Sequence, residues 1–259
     1  MSLSEVDFRV IKRGLRTVHV FDVYKYYLLA KEKSQRVVRI RIRSIGNKSI
    51  LARTGTEDYL TLYSTFYDQY HLPPATLKSP APVIIDLGSN IGVTVLHLKH
   101  LYPSSRIIGV EMDEDNYKLA ELNVKGIGNV EIINSAISVA DGMVSYNKSD
   151  NVDAYHVITN KSANEKNGLK TVSSITVQSL LSKYNLESVD FMKMDIEGEE
   201  IKIFDDQVDL TWLNKVKALN IEVHGDSDVL QKILSILEKN GFRAWKDTNH
   251  WSAILAVKP

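Results

Sequence analysis

The chain has 259 residues, 44% of them hydrophobic, 8% aromatic and 25% charged, with 32 basic side chains balanced by 32 acidic ones. This composition is globular rather than disordered, and the length serves one large domain plus an extension. The absence of cysteine excludes disulfide scaffolds, thiolate zinc sites, CxxC redox chemistry and cysteine nucleophiles.

No apolar run approaches the roughly 18 residues that span a bilayer, and residues 1–14 lack a leader-like apolar region. The expectation is a soluble, cytoplasmic protein. The balanced net charge hides an asymmetry: eleven Lys/Arg lie between Arg9 and Arg43, against only Asp22 and Glu32. Such a split can mark an anionic partner. Val38, Ile40 and Ile42 alternate with Arg39, Arg41 and Arg43, however, which reads as a strand with its arginine face in water. An aromatic-rich helical segment follows over Tyr59 to Tyr70. Four prolines at 73, 74, 80 and 82 are incompatible with helix or central strand. They set the expected division into an N-terminal extension (1–82) and a second domain (83–259).

From there strand and helix signals alternate. Val83 to Ile85 is a buried-strand run, Asn90 to Leu101 has helical spacing, and Arg106 to Glu111 is a second strand. Asp113 caps a helix over Glu114 to Val124. Val130 to Asn134 is a third strand, and Gly142 fits a hairpin turn after it. Residues 147–170, rich in Asn, Ser, Lys and Gly without a period, read as a surface loop. A helix at Val177 to Tyr184 leads to a fourth strand at Val189 to Asp195. A helix over Glu199 to Phe204, a strand over Val216 to Val223 and a helix carrying Val229, Leu230, Ile233, Leu234 and Leu237 come next, the last ended by Asn240-Gly241. Two strands, Phe242 to Lys246 and Trp251 to Val257, complete the chain. The alternation predicts an α/β fold, a doubly wound and mostly parallel sheet with an antiparallel edge.

Asp86-Leu87-Gly88-Ser89-Asn90-Ile91-Gly92 joins the first of these strands to its helix. In doubly wound sheets ligands bind at the carboxyl ends of strands, where glycine admits a close backbone approach and the helix N-terminus offers amide donors. Glu111, twenty-five residues after Asp86, closes the next strand, where a carboxylate accepts hydrogen bonds from a ribose diol. A dinucleotide fold requires G-x-G-x-x-G, but Asn90 stands at the central glycine. A carboxylate at the mouth of the loop, Asp86, repels a pyrophosphate and suits an ammonium. An adenosyl cofactor with an amino-acid tail, S-adenosylmethionine (SAM), fits these features. No G-x-x-x-x-G-K-[ST] run exists, which excludes a P-loop.

The second dense signal is Val189-Asp190-Phe191-Met192-Lys193-Met194-Asp195-Ile196-Glu197-Gly198-Glu199-Glu200. Asp195 and Glu197 lie at the carboxyl end of the fourth strand, and Glu222 and His224 end the next strand on the same edge. These groups suit a general base, metal ligands or substrate anchors. Glu199 and Glu200 are read as favouring a helix N-terminus through its dipole. His97 and His100, one turn apart, read as packing or surface residues, and His156 lies in the polar loop that could cover a substrate.

The run V-I-I-D-L-G-S-N-I-G at 83–92, followed by D-F-M-K-M-D-I-E-G-E-E at 190–200, resembles the FkbM-type methyltransferases, a class I SAM-dependent family. The resemblance extends from about Ile50 to Val257. It implies a seven-stranded Rossmann-like sheet, with Asp86, Gly88, Asn90 and Gly92 at the methionine end of SAM, Glu111 on the ribose, and Ser135-Ala136 flanking the adenine. Asp141-Gly142 falls just beyond. It further implies methylation of a hydroxyl on a sugar, glycolipid or natural product, a small-molecule or glycan acceptor. Asp195 is the expected base, with Glu222 or His224 next, and Glu197 and His156 face the substrate. Hard oxygen ligands at Asp195 and Glu222 suit Mg²⁺, although the sequence does not require a metal. Asp195-Ile196-Glu197-Gly198 replaces the [DN]-P-P-[FY] turn of base-amine methyltransferases, which disfavours nucleic acid. An RNA ribose methyltransferase, suggested by the basic arm, and a non-catalytic cofactor-binding module are the competing readings.

Overall fold

The computed structural model of the chain describes residues 5–148, 155–158, 170–248, 250 and 252–259, the side chains of 147, 148 and 155–158 excepted. Two helices precede the strand and the helical segment expected of the extension: α1 (Glu5–Thr17) and α2 (Val23–Lys31) form an αα-hairpin. Val10, Gly14 and Thr17 are the buried row of α1, at i, i+4 and i+7. Gly14 is required there, because a Cβ would lie 3.0 Å from the Tyr26 ring of α2. The alternating run then forms β1 (Val37–Ile42), antiparallel to β2 (Lys48–Arg53), with Ile40 and Ile42 buried. Its arginine face is only partly in water. Arg39 and Arg43 are exposed, but Arg41 Nε lies 2.7 Å from the buried Asp22, whose carboxyl it holds well below the usual range. The chain continues through α3 (Asp58–Tyr63) into a π-helical turn at Ser64–Asp68.

The main body follows as β3 (Val83–Leu87), α4 (Val93–Leu101), β4 (Arg106–Glu111), α5 (Glu114–Val124) and β5 (Val130–Asn134). Asp113 caps α5, accepting from the amides of Asp115 and Asn116. After β6 (Ala136–Ile137), β7 (Gly142–Lys148), β8 (Tyr155–Ile158) and β9 (Lys170–Ile175) come α6 (Val177–Lys183), β10 (Phe191–Met194) and α7 (Glu199–Ile203). The last elements are β11 (Ala218–Glu222), α8 (Ser227–Lys239), β12 (Arg243–Lys246) and β13 (Ala253–Val257). Seven strands form one sheet in the order β12-β13-β11-β10-β3-β4-β5. The five strands from β11 to β5 are parallel, and β13 runs antiparallel to both neighbours. The order reverses between β3 and β10, which creates the crevice at the strand ends where ligands of such sheets bind.

A second sheet, β6-β9-β7-β8, was not anticipated. It includes Tyr155–Ile158, inside the stretch read as a surface loop, and Gly142 begins β7 rather than a separate turn. Its buried apolar members among the described residues are Ala136, Ile137, Val144, Tyr146 and Val172, spread over short strands that leave little hydrophobic alternation to detect.

The extension and the main body share one core. Ile40, Ile42, Leu62 and Phe66 pack in the same cluster as Ile84, Ile91, Leu96 and Leu119. Buried polar side chains join them. Arg53 pairs with Asp58 at 2.9 Å and reaches Asn116 on α5 at 2.7 Å, while Asn220 of β11 donates to the Tyr70 and Leu72 carbonyls at 2.7 and 3.0 Å. Those two bonds draw the segment after the π-helical turn over the carboxyl ends of the central strands.

Candidate active site

A cavity of about 710 Å³ opens at that edge. Its floor is the β3–α4 loop. Gly88 has φ +80° and sits so close to the next strand that a Cβ would overlap the Asp195 carbonyl oxygen. Asn90 adopts φ +48° and Gly92 φ +80°, which turns the chain sharply before α4. Glu111, 6% exposed at the end of β4, accepts from the amides of Asn90 (2.9 Å) and Asp113 (2.8 Å). Burial pushes its carboxyl up to about 7, partly offset by those two amide bonds.

Of the residues expected at a cofactor, Gly88, Asn90, Glu111, Ser135 and Ala136 line the cavity. Asp86 and Gly92 do not. Gly92 packs against Ala120 of α5. Asp86 is fully buried beneath the loop instead of standing at its mouth: Thr94 donates to one carboxylate oxygen, and Lys193 Nζ lies 3.6 Å from the other. The physical reason is periodicity. Strand residues alternate in direction, and Asp86 registers beside Lys193 of β10. Lys193 is itself buried, 3.2 Å from Asp195 and 3.1 Å from the Gly88 carbonyl. Burial opposes its charge, but the Asp195 and Asp86 carboxylates outweigh that and raise its pKa well above the ordinary value. Asp141 is also remote, capping α6 through the Thr176 amide and the Ser179 hydroxyl.

The opposite wall carries the acidic groups. Asp195, Glu197, Glu199, Glu222 and His224 all line the cavity. His224 Nε2 lies 3.5 Å from Glu197 and 4.0 Å from both Asp195 and Glu222. Its Nδ1 is 2.9 Å from Glu200, which also accepts from the His224 amide at 2.6 Å and the Gly198 amide at 2.9 Å. Glu200 is therefore no solvated helix-end acid. It is fully buried and fixes the imidazole. The doublet Glu199-Glu200 hinted at this, since a helix-end dipole needs neither acid buried, but nothing in the sequence tied Glu200 to a residue 24 positions away.

Burial opposes the charge on His224, but the Glu200 hydrogen bond and the Glu200, Asp195 and Glu197 carboxylates raise its pKa to about 9. Glu222 moves the other way from a normal acid: burial and then the Asp195 charge push its carboxyl up to about 7. At neutral pH the wall thus holds an imidazolium and a carboxyl group near its own midpoint.

The roof comes from the extension. Leu60, Thr61, Ser64, Tyr67, Asp68 and Tyr70 line the cavity, and Tyr70 stacks on His250 with ring centroids 5.5 Å apart. The sequence placed none of these at the site. His97 is buried against His71 at 3.1 Å, and burial lowers both, so the pair is neutral packing material. The His156 side chain lies outside the described residues.

Asp195, Glu197 and His224 each offer one ligand atom, all within 4.8 Å of one another. The donor set expected for Mg²⁺ was Asp195 with Glu222, all oxygen. An imidazole in the converging set and the Lys193 ammonium beside Asp195 suit that ion poorly.

The sheet order, the loop at the switch point and the acidic wall define a class I SAM-dependent methyltransferase. The methyltransferase FkbM domain matches residues 86–244, and the chain belongs to that family. A curated relative, methyltransferase sdnD of Sordaria araneosa, is 22% identical over 221 residues, covering 74% of this chain and 85% of that protein. Among solved structures, a precorrin-6y C5,15-methyltransferase from Geobacter metallireducens aligns over 71% of this chain and 84% of its own, at 15% identity and TM-score 0.42. A fibrillarin pre-rRNA processing protein from Methanococcus jannaschii aligns over 88% and 85%, at 12% identity and TM-score 0.44.

Proposed function

We propose that the enzyme methylates a hydroxyl group of a small-molecule or glycan acceptor, with Glu222 as the general base. The carrying observation is that the cofactor loop and a carboxyl group tuned to about 7 face one cavity. A general base works best with a pKa near the operating pH.

The loop fits SAM. Among the described residues the Asn90 side-chain oxygen is buried without a partner, Glu111 lines the same cavity and would take a ribose diol, and Ser135, Ala136 and Ile137 would give a small, partly apolar wall to an adenine. SAM supplies an electrophilic methyl group on a sulfonium and leaves as a neutral thioether. The protein's part is to hold the acceptor oxygen in line, a proximity effect of roughly 7–11 kcal/mol, and to take its proton. With the cofactor bound, Glu222 would take the proton of the acceptor hydroxyl as the methyl group moves to its oxygen. Asp195, expected as the base, is ion-paired with buried Lys193 and backs directly onto Gly88. That position favours holding the ammonium of the cofactor. His224, already protonated, stabilises the ionised form of Glu222.

The test is transfer of labelled methyl groups to a panel of alcohol, sugar and amine acceptors, with Glu222→Gln and Asp195→Asn compared. Glu222→Gln should bind S-adenosylhomocysteine normally while its rate falls 10²–10⁴-fold, the usual worth of a general base. Full turnover in that variant, or methylation of amines alone, would overturn the reading.

A further inference from the structure

Large apolar side chains are exposed unevenly. Of thirteen among the described residues, seven fall before residue 38: Val6, Phe8, Leu15, Val20, Phe21, Tyr24 and Val37. Isolated exposed apolar residues are unremarkable, but a concentration rimmed by charge marks an interaction surface. Phe8, Lys12 and Leu15 stand at i, i+4 and i+7 on α1, opposite the buried row Val10, Gly14, Thr17. Phe8 is 65% exposed and Leu15 45%. Arg9 and Arg16, seven residues apart, flank that stripe. Among the described residues no carboxylate pairs with Arg9 or Lys12. The turn after α1 adds Phe21, 80% exposed.

This stripe is amphipathic on its outer side: aromatic and aliphatic groups interleaved with an excess of cations, Arg9, Lys12 and Arg16 against the exposed Glu5. That is the composition of a helix lying in a membrane interface, whose apolar groups enter the acyl boundary while its cations meet anionic headgroups. It is also joined to the cavity. Arg16 sits 4.8 Å over the ring of Tyr67, Arg13 sits 4.9 Å over Tyr63, and the two tyrosines stack at 5.0 Å. Tyr67 belongs to the cavity lining. The face and the mouth of the site are therefore one continuous surface.

We infer that α1 and the turn after it dock the enzyme on an anionic membrane surface, so that the acceptor hydroxyl is borne by a lipid-anchored molecule. This second clause rests on the O-methyl transfer proposed above, whereas the docking itself does not. The charge decides between a bilayer and a second copy of the chain. A second copy would set the same excess of cations against one another, whereas an anionic bilayer neutralises it.

The experiment is flotation of the full chain with phosphatidylcholine vesicles and with vesicles that also contain about 30 mol% phosphatidylglycerol, which gives the surface the negative potential of an anionic leaflet. Binding is expected to the anionic vesicles only, and to weaken as salt rises from 0.05 to about 0.5 M. Arg9→Gln with Lys12→Gln should weaken it roughly 25-fold, about fivefold for each charge. Phe8→Glu with Leu15→Glu should abolish it. Both double variants alter exposed residues and should bind S-adenosylhomocysteine like the unaltered chain, which separates failed docking from a failed cofactor site. Equal binding to both vesicle types, no binding to either, or a dimer that Phe8→Glu dissociates would each overturn the inference.

Discussion

Glu200→Gln tests the electrostatic organisation of the site at one buried atom. Glutamine keeps the shape and removes the charge behind Nδ1 of His224, but its single oxygen can serve only one of the two sides of Glu200, the His224 amide and ring on one oxygen or the Gly198 amide on the other. A hydrogen bond to a charged group is worth about 1.5–3 kcal/mol, and one pKa unit corresponds to about 1.4 kcal/mol. The imidazole should therefore fall from about 9 by roughly one to two units, towards its ordinary value. NMR titration of the His224 Cε1 proton reads this directly, with Glu200→Asp restoring part of the shift. The linkage has a definite sign. Because the folded pKa of His224 lies above the unfolded value of 6.5, its stabilising contribution is complete below pH 6.5 and is lost as pH rises through 9. Glu200→Gln should flatten that part of the melting-temperature profile. An unmoved His224 midpoint would refute the claim that Glu200 governs the imidazole.

Gly88→Ala should cost about 3 kcal/mol or more, because φ +80° disfavours any side chain and the new Cβ overlaps the Asp195 carbonyl. That corresponds to a fall of roughly 6–12 °C in melting temperature, and a variant within about 2 °C of the parent would show that the strands separate easily. Asp86→Ala removes one of the two carboxylates facing buried Lys193, so it should destabilise the fold by about 3 kcal/mol, and urea unfolding should show this before any specific effect on cofactor binding. Glu111, pushed up to about 7, must be ionised to accept a ribose diol. Calorimetric affinity for SAM should consequently weaken as pH falls below 7, by up to about tenfold per unit, and Glu111→Gln should remove that slope. A slope that persists in Glu111→Gln would assign the proton to another group.

The sequence was most legible where local chemistry and tertiary structure agree. β5 and α5 lie at their expected bounds, because a buried strand run and an Asp113 cap are local signals. It was least legible where a charge meets a partner far along the chain. Asp86 looked like a free carboxylate because Lys193, its neighbour across β3 and β10, is 107 residues away. The helices α1 and α2 were hidden by basic residues that drew attention as charge rather than as the outer face of an amphipathic period. The roof residues Tyr67, Asp68 and Tyr70 come to the cavity only through the buried Asn220 that ties down the Tyr70 and Leu72 carbonyls, and a lone strand asparagine announces no such reach.

Lys193 explains why the two sequence motifs occur together. Its ammonium spans the carboxyl ends of β3 and β10, touching Asp86, the Gly88 carbonyl and Asp195 at once. One buried cation thereby fixes the register of the cofactor loop against the acidic wall. It also sets the charge of the site. Asp86, Asp195, Glu197 and Glu200 surround the two basic groups Lys193 and His224, and Asp68, Glu111, Glu199 and Glu222 also line the site, so acidic groups outnumber basic ones. Beside buried groups such a surplus acts more strongly than it would in bulk water. A pyrophosphate is repelled, while a sulfonium is drawn in. Methyl transfer then converts the sulfonium to a neutral thioether, so the same surplus that gathers the cofactor holds the spent form less tightly.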